Sequence, residues 1–397
     1  MKRLAAIAWA VLFAIIPLYG TFAGLASESP GIPPVVPRPL AVAIALAGLA
    51  ALAAVIPAAV RAGRRDWLTF AFLAPGIATI LAALTGFDPV PIGLGLGLFV
   101  TGLGAAGLAL ARTVDVATVR LCIRSFLWSA VLASLLALAM LVSHRPAAVY
   151  AYDNGRAVGT FLNPNELAAY TLVALAVALP LAAASRGRDR LATVCTIVLL
   201  VTLGATFSRW GALSAVIGVA AYALAARTRM LLVAALVVAL AGIGLDLLAG
   251  TRHHNPRDTE ARAVAWRTGL TTFERFPLLG VGPFAFPKTY DEMRPPEAPG
   301  TRTAVAFDPH SLPIAFAADG GIVAIVTLAV SFFLVFREVL RAAGRAPAPA
   351  RMLGLSIAAG LAALMFDGTI NTLSLFFPLG LQVVPLALAV VRTDALR

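Results

Sequence analysis

Runs of about twenty predominantly apolar residues recur from one end of this chain to the other, and no other property constrains its folding as strongly. A helix rises about 1.5 Å per residue, so each run is long enough to cross a hydrocarbon core roughly 30 Å thick. Lipid offers no partner to backbone N–H and C=O groups, which leaves helices or a closed barrel as the only spanning structures. The runs lack the two-residue alternation a barrel needs, so they read as helices. Composition agrees. With 60% hydrophobic residues, 13% charged residues and a mean hydropathy of +0.91, the chain has too little polar surface to coat a soluble globule of its size.

The runs place spans at residues 5–25, 39–60, 68–86, 90–111, 119–142, 164–184, 191–207, 211–226, 230–249, 311–336, 352–371 and 374–391. That is about twelve helices in one integral membrane domain over residues 1–397, an all-α polytopic membrane protein. The first run is read as a retained span, because "LYGTFAGLASESP" offers only a weak cleavage site and the run is too long for a signal peptide. Basic loops such as "RAGRRD" at 61–66, "SRGRDR" at 185–190 and "REVLRAAGR" at 337–345 alternate with loops poor in Lys and Arg. By the positive-inside rule both termini are cytoplasmic. The formal charge of +12 is then a topology signal that calls for no nucleic acid. Cys122 and Cys195 fall in spans and suggest no metal or redox role, and "GRAPAPAR" at 344–351 reads as an internal linker.

Two segments on the opposite side exceed a turn, 143–163 and 250–310. Loops of that length in a compact protein are usually functional or disordered. The second has a helical pattern: Asp258 or Thr259 can cap it, and Ala263, Trp266, Leu270 and Phe273 make one apolar face with Arg267 on its flank. "FPLLGVGPF" then ends it with Pro and Gly. This is an amphipathic helix resting on the membrane surface or on the bundle.

Arg262, Trp266, Leu270, Phe273, Pro277, "LGVG" and Phe284 form a pattern similar to the signature segment of the O-antigen ligase and polymerase superfamily. Three further pieces resemble it in order: "GRAVGTFLNPNELAAY" at 155–170, "TFSRWGALSAV" at 206–216 and "DPHSLPIAFAADGGIVA" at 308–324. One departure is Ser311, where the family commonly has Asn after the His; a hydroxyl does not reproduce the donor and acceptor geometry of an amide. The resemblance implies a multi-helix, lipid-donor glycosyltransferase of the GT-C-like type, with its active site periplasmic at the bacterial inner membrane. It implies transfer of a glycan from an undecaprenyl-diphosphate-linked oligosaccharide donor to a hydroxyl of a lipid A-core acceptor, with membrane lipids as surroundings. The sugar arrives activated, so the absence of a dinucleotide fingerprint or P-loop fits, and no cofactor is expected.

A departing diphosphate gathers negative charge at the edge of a low-dielectric slab, where each aimed cation counts for more. Arginine suits it: its planar fork stays charged and grips two phosphate oxygens. The resemblance gives that role to Arg209 and Arg267, with Arg156 a third candidate. A competing reading has Arg209 snorkelling at a helix end, Arg267 pairing with Glu274 or Asp258, and Arg156 ordering its loop with Asp153. His310 is the candidate general base, oriented by Asp308, unless it merely caps the helix at "SLPIAF". Asn163 and Asn165 fix a helix start or touch sugar, and Arg262 and Trp266 are further substrate-binding candidates. Adjacent His253 and His254 lack a carboxylate cluster, so no metal is expected. Asp319, nine residues past His310, reads as about 13 Å deeper on one helix and as a structural group. A glycan ligase, a polymerase or protein O-glycosylating relative with the same donor, and a transporter with a basic vestibule remain the competing functions. Ionisable groups gathered at the outer edge favour an enzyme over the transporter.

Overall fold

The computed structural model describes residues 2–19, 38–63, 65–87, 90–147, 155–161, 163–226, 256–296, 308–371, 373 and 376–396. In chain order the helices are α1 (Lys2–Ala14), α2 (Arg38–Ala62), α3 (Trp67–Thr85), α4 (Val90–Thr113), α5 (Val116–Ser143), α6 (Pro164–Ala184), α7 (Arg190–Ala205) and α8 (Arg209–Ala225). They continue with α9 (Pro256–Arg275), α10 (Phe286–Met293), α11 (Leu312–Arg345), α12 (Ala348–Gly368) and α13 (Phe376–Thr393). Among the described residues there is no strand.

Eight of these helices are long and apolar enough to cross a membrane: α2 to α6 and α11 to α13. Residues 3–14, α7 and α8 are apolar but shorter than a full crossing, so about twelve full-length spans overstates the described helices. The first run stops as an α-helix at Ala14 and turns through a 3-10 segment, Ile16–Leu18, where Pro17 cannot donate to a continuing ladder. The expected span at 230–249 lies outside the described residues. The linker expected at 344–351 shrinks to 346–347, because α11 keeps its ladder to Arg345 and α12 starts at Ala348.

Helix starts are written in the sequence. Asp66, Asp115, Asn163, Asp189 and Ser208 each cap the helix that follows, the side chain accepting from a backbone N–H two or three residues on. At the basic end of the bundle, arginines tie helix termini together. Arg112 donates to the Ala62 carbonyl at 2.8 Å and pairs with Asp66, whose carboxyl it holds down at about 2. Arg392 donates to the carbonyls of Ala111 and Val114, and Arg120 to that of Ala395. These cations meet carbonyls left over at helix ends, where the helix dipole is negative.

The interior is built from small residues and a few rings. Gly104 on α4 abuts the Phe72 carbonyl of α3 so closely that a Cβ would collide with it, which lets the two backbones approach. Phe126 links Phe13 and Tyr170 edge to face, at 6.2 and 6.0 Å, joining α1, α5 and α6. The outward faces carry exposed Val60, Leu132, Ile197 and Phe333, as lipid contact requires.

Candidate functional site

α11 is not one helix. Gly321 sits at φ 61° and ψ −157° and interrupts it, so backbone groups on both sides lose their helical partners. The "LGVG" segment supplies them. Val281 and Gly282 donate to the carbonyls of Ala318 and Asp319, both at 2.9 Å, and Ile322 donates to the Pro277 carbonyl at 2.8 Å. Gly280, at φ 66°, lies against the backbone of 318–320, and Gly321 against that of Leu278; a Cβ at either collides. Val281 also accepts from the Phe87 N–H at 2.7 Å, which docks the α3 end onto the same plug.

The surface helix α9 is held by this plug and lies on α11. Its buried stripe is Ala265, Thr268 and Thr272, each 0% exposed, with Gly269 against Pro309 and Ile314. The contact with α11 is thus made by a stripe other than the expected apolar face of Ala263, Trp266, Leu270 and Phe273: Ala263 is exposed and Leu270 is 46% exposed. The reason is steric. Small side chains let two helices approach, while larger ones lie beside the contact. The helix begins at Pro256, ahead of the expected caps Asp258 and Thr259, whose side chains lie outside the described set.

His310 precedes α11 in a left-handed conformation, φ 50°, uncommon for a residue with a Cβ. Asp308 enforces it by accepting from the His310 backbone N–H at 2.6 Å. The imidazole Nδ1 stands 3.7 Å from the same carboxylate oxygen, an ion-pair distance and not a hydrogen bond. On the other side the Trp266 indole donates to the His310 carbonyl at 3.4 Å. The N-cap of α11 is Ser311, 2% exposed and making no side-chain cap bond, so His310 does not cap the helix. Contrary to expectation, Asp319 does not share one helix with His310: residues 310 and 311 are not helical and α11 starts only at Leu312; the Asp319 carboxylate lies in the plug region near the Phe284 N–H.

A second cluster gathers where α6, α7 and α8 meet. Arg156 does not merely order its own loop: it donates to the Thr206 carbonyl at 2.8 Å and to Asn165 Oδ1 at 3.2 Å. Ser208 donates to that same Oδ1 at 2.8 Å, and its oxygen caps α8 at the Gly211 N–H. Arg209, exposed, is the first residue of α8 and is therefore fixed by this hub. Asn163 caps α6, accepting from Asn165 and Glu166 N–H groups at 2.9 Å. Asp153, His253 and His254 lie outside the described residues.

Between the clusters is a group the sequence reading missed. Asp367, 0% exposed at the end of α12, accepts from Asn371 Nδ2 at 3.0 Å. Ser214 of α8 approaches the same carboxyl without reaching hydrogen-bond geometry, and Arg262 acts on it electrostatically. The Trp210 ring lies tilted against Phe366, centroids 6.2 Å apart, and Gly368 lies against Leu312. The end of α12 thus touches α8 through Phe366 and the start of α11 through Gly368. The available signal was an acid inside an otherwise apolar span, which by itself marks a functional candidate. Among the described residues no group of His, Cys, Asp and Glu could hold a metal ion.

These features define a polytopic α-helical membrane protein whose structured surface loop is locked into a broken helix beside a His, Arg and Asp cluster. The family model described as O-antigen ligase matches residues 191–329 of this chain. The matched stretch, about a third of the chain, holds Arg209, Arg262, Trp266, Arg267, Asp308 and His310. Arg156, Asn163, Asn165 and Asp367 lie outside it. No curated protein matches the chain.

Proposed function

We propose that this protein is a metal-independent glycosyltransferase that moves an O-antigen glycan from undecaprenyl diphosphate to a hydroxyl of lipid A-core. The observation that carries this reading is the seating of His310: Asp308 grips its backbone, Trp266 holds its carbonyl, and the next residue of the same surface helix is Arg267. In the step proposed, His310 takes the acceptor hydroxyl proton as the acceptor oxygen bonds to the anomeric carbon. The bond from that carbon to the diphosphate breaks, and the leaving oxygen keeps the electron pair. Arg267 and Arg209 bind the diphosphate as its charge grows, with Arg156 behind Arg209. Arg262 is placed to meet acceptor or glycan hydroxyls, with the buried Asp367 carboxyl acting on it from behind.

The setting we propose is the bacterial inner membrane, with both termini cytoplasmic and the site periplasmic. The basic loops support this orientation. The short helices α1, α7 and α8 add to the eight long spans in a GT-C-like bundle of about twelve crossings. Chain polymerase or protein glycosylation with the same donor is the alternative reading, since only the acceptor differs.

The test is transfer by the purified protein from an undecaprenyl-diphosphate-linked oligosaccharide, with lipid A-core and free donor as competing acceptors. Product on lipid A-core supports the ligase; elongated donor replaces it with a polymerase. No glycosidic product with either would sink the reading.

A further inference from the structure

At the basic end of the bundle, away from the site above, a cleft of about 870 Å³ opens between α5, the α6–α7 turn and the C-terminal residues. Its α5 wall presents Arg120, Arg124 and Trp128 at four-residue spacing, one row along one helix face. The row runs from two guanidinium groups at the mouth to an indole about 12 Å along the helix. Beside it the lining turns apolar, with Leu121, Leu181, Leu191 and Leu396. Arg120 is steadied by its Nε, which donates to the Ala395 carbonyl at 2.7 Å. One carboxylate also lines the cleft, Asp189, and it accepts from the Ala192 N–H as the cap of α7.

Two cations over a greasy trough match a molecule with an anionic head and acyl tails. The geometry points to a binding site for an anionic glycerophospholipid of the bilayer, its phosphate on Arg120 and Arg124 and one acyl chain laid past Trp128 against Leu181 and Leu191. A guanidinium fork grips a phosphodiester in two places, and the membrane edge screens that pairing poorly. Arginines this near the membrane surface each favour acidic lipid. A zwitterionic lipid offers the same phosphodiester but brings a choline or ethanolamine cation beside both guanidinium groups, so net headgroup charge is what the cleft selects. The site belongs to the bundle and does not depend on which glycan is transferred.

The test is native mass spectrometry of the full chain in mild detergent, titrated with phosphatidylglycerol or with phosphatidylcholine. The wild type is expected to retain phosphatidylglycerol several-fold more than phosphatidylcholine. Arg124→Ala, an exposed position that bonds to no other helix among the described residues, is expected to erase that preference, while Arg65→Ala, basic and outside the cleft, keeps it. Equal retention of the two lipids by wild type, or an undiminished preference in Arg124→Ala, overturns the site. A second measurement holds even where that variant folds poorly. Phosphatidylglycerol brominated on its acyl chains should quench wild-type fluorescence beyond the background of Trp128→Phe; quenching equal to that background, or matched by brominated phosphatidylcholine, overturns it as well.

Discussion

The Val281 N–H donates to the Ala318 carbonyl at 2.9 Å, so a surface loop supplies a hydrogen bond that a broken helix lacks. The same segment carries the surface helix with Arg267, and the same broken helix begins just after His310. Candidate base and candidate diphosphate ligand are therefore fixed to one another through main-chain bonds and do not depend on a mobile loop. Gly280 and Gly321 make the fit possible, each at positive φ with backbone where a Cβ would go. Gly280→Val and Gly321→Val should each cost on the order of 2–5 kcal/mol through strain and overlap. Gly95→Val, which meets nothing within 4 Å, is the control. Thermal melting in detergent reads the difference; a Gly321→Val protein as stable as Gly95→Val would show that the plug does not seal the helix.

His310→Ala should reduce transfer by about 10²–10⁴-fold, the usual contribution of a positioned base, with an unchanged elution profile in detergent. Trp266→Phe keeps an aromatic ring but loses the pyrrole part of the indole, and with it the N–H that reaches the His310 carbonyl. It is expected to lower kcat several-fold with little change in donor KM. Near wild-type turnover by His310→Ala would remove this residue as the base.

The sequence shows the helices because burial in lipid is a local property: a run of apolar residues needs no knowledge of its neighbours. It shows the helix starts for the same reason, Asn163 and Ser208 bonding within three residues of themselves. What it hides is every choice made between distant segments. The contact of α9 with α11 is made by Ala265, Thr268 and Gly269, small residues that an apolar pattern read from side-chain size does not single out. The pairing of 277–282 with 318–323 has no periodicity to betray it, although both partners advertise themselves as glycine pairs. Asp367 is visible as a lone acid in an apolar span, yet only packing brings Ser214 and Arg262 to it.

In the proposed mechanism the charge of the leaving diphosphate falls to arginine and none of it to a metal ion. Excess EDTA should leave transfer unchanged. Strong inhibition reversed by a divalent ion would contradict this. In the same assay, Arg267→Lys and Arg209→Lys should lose most activity although charge is conserved, because an ammonium replaces two aligned N–H donors by one point.

Asp66 gives a pH-dependent term outside the site. Its pairing with Arg112 lowers the carboxyl from 3.8 to about 2, so the folded state favours the ionised form. The stabilisation is fully present above pH 3.8 and fades as pH falls through about 2. The pair is partly exposed, so the effect is small. The gap in Tm between wild type and Asp66→Asn should be constant from neutrality to about pH 5 and close towards pH 2. A gap that widens in acid would reverse the sign assigned here.

Asn165 gives the sharpest test of the second cluster, because one oxygen serves two neighbours. Its Oδ1 accepts from Arg156 and from Ser208, and the Ser208 oxygen in turn caps the helix whose first residue is Arg209. Asn165→Leu keeps the volume and removes the acceptor, leaving two donors unsatisfied and the start of α8 untethered. Misplacing a charge-bearing group by about 1 Å can cost on the order of 10²-fold in rate, and that is the loss expected here. Asn165→Asp retains an acceptor oxygen and should keep most of the activity, with a stronger hold on Arg156. Equal activity of the two variants would mean that Asn165 does not position Arg209, whatever its contribution to stability.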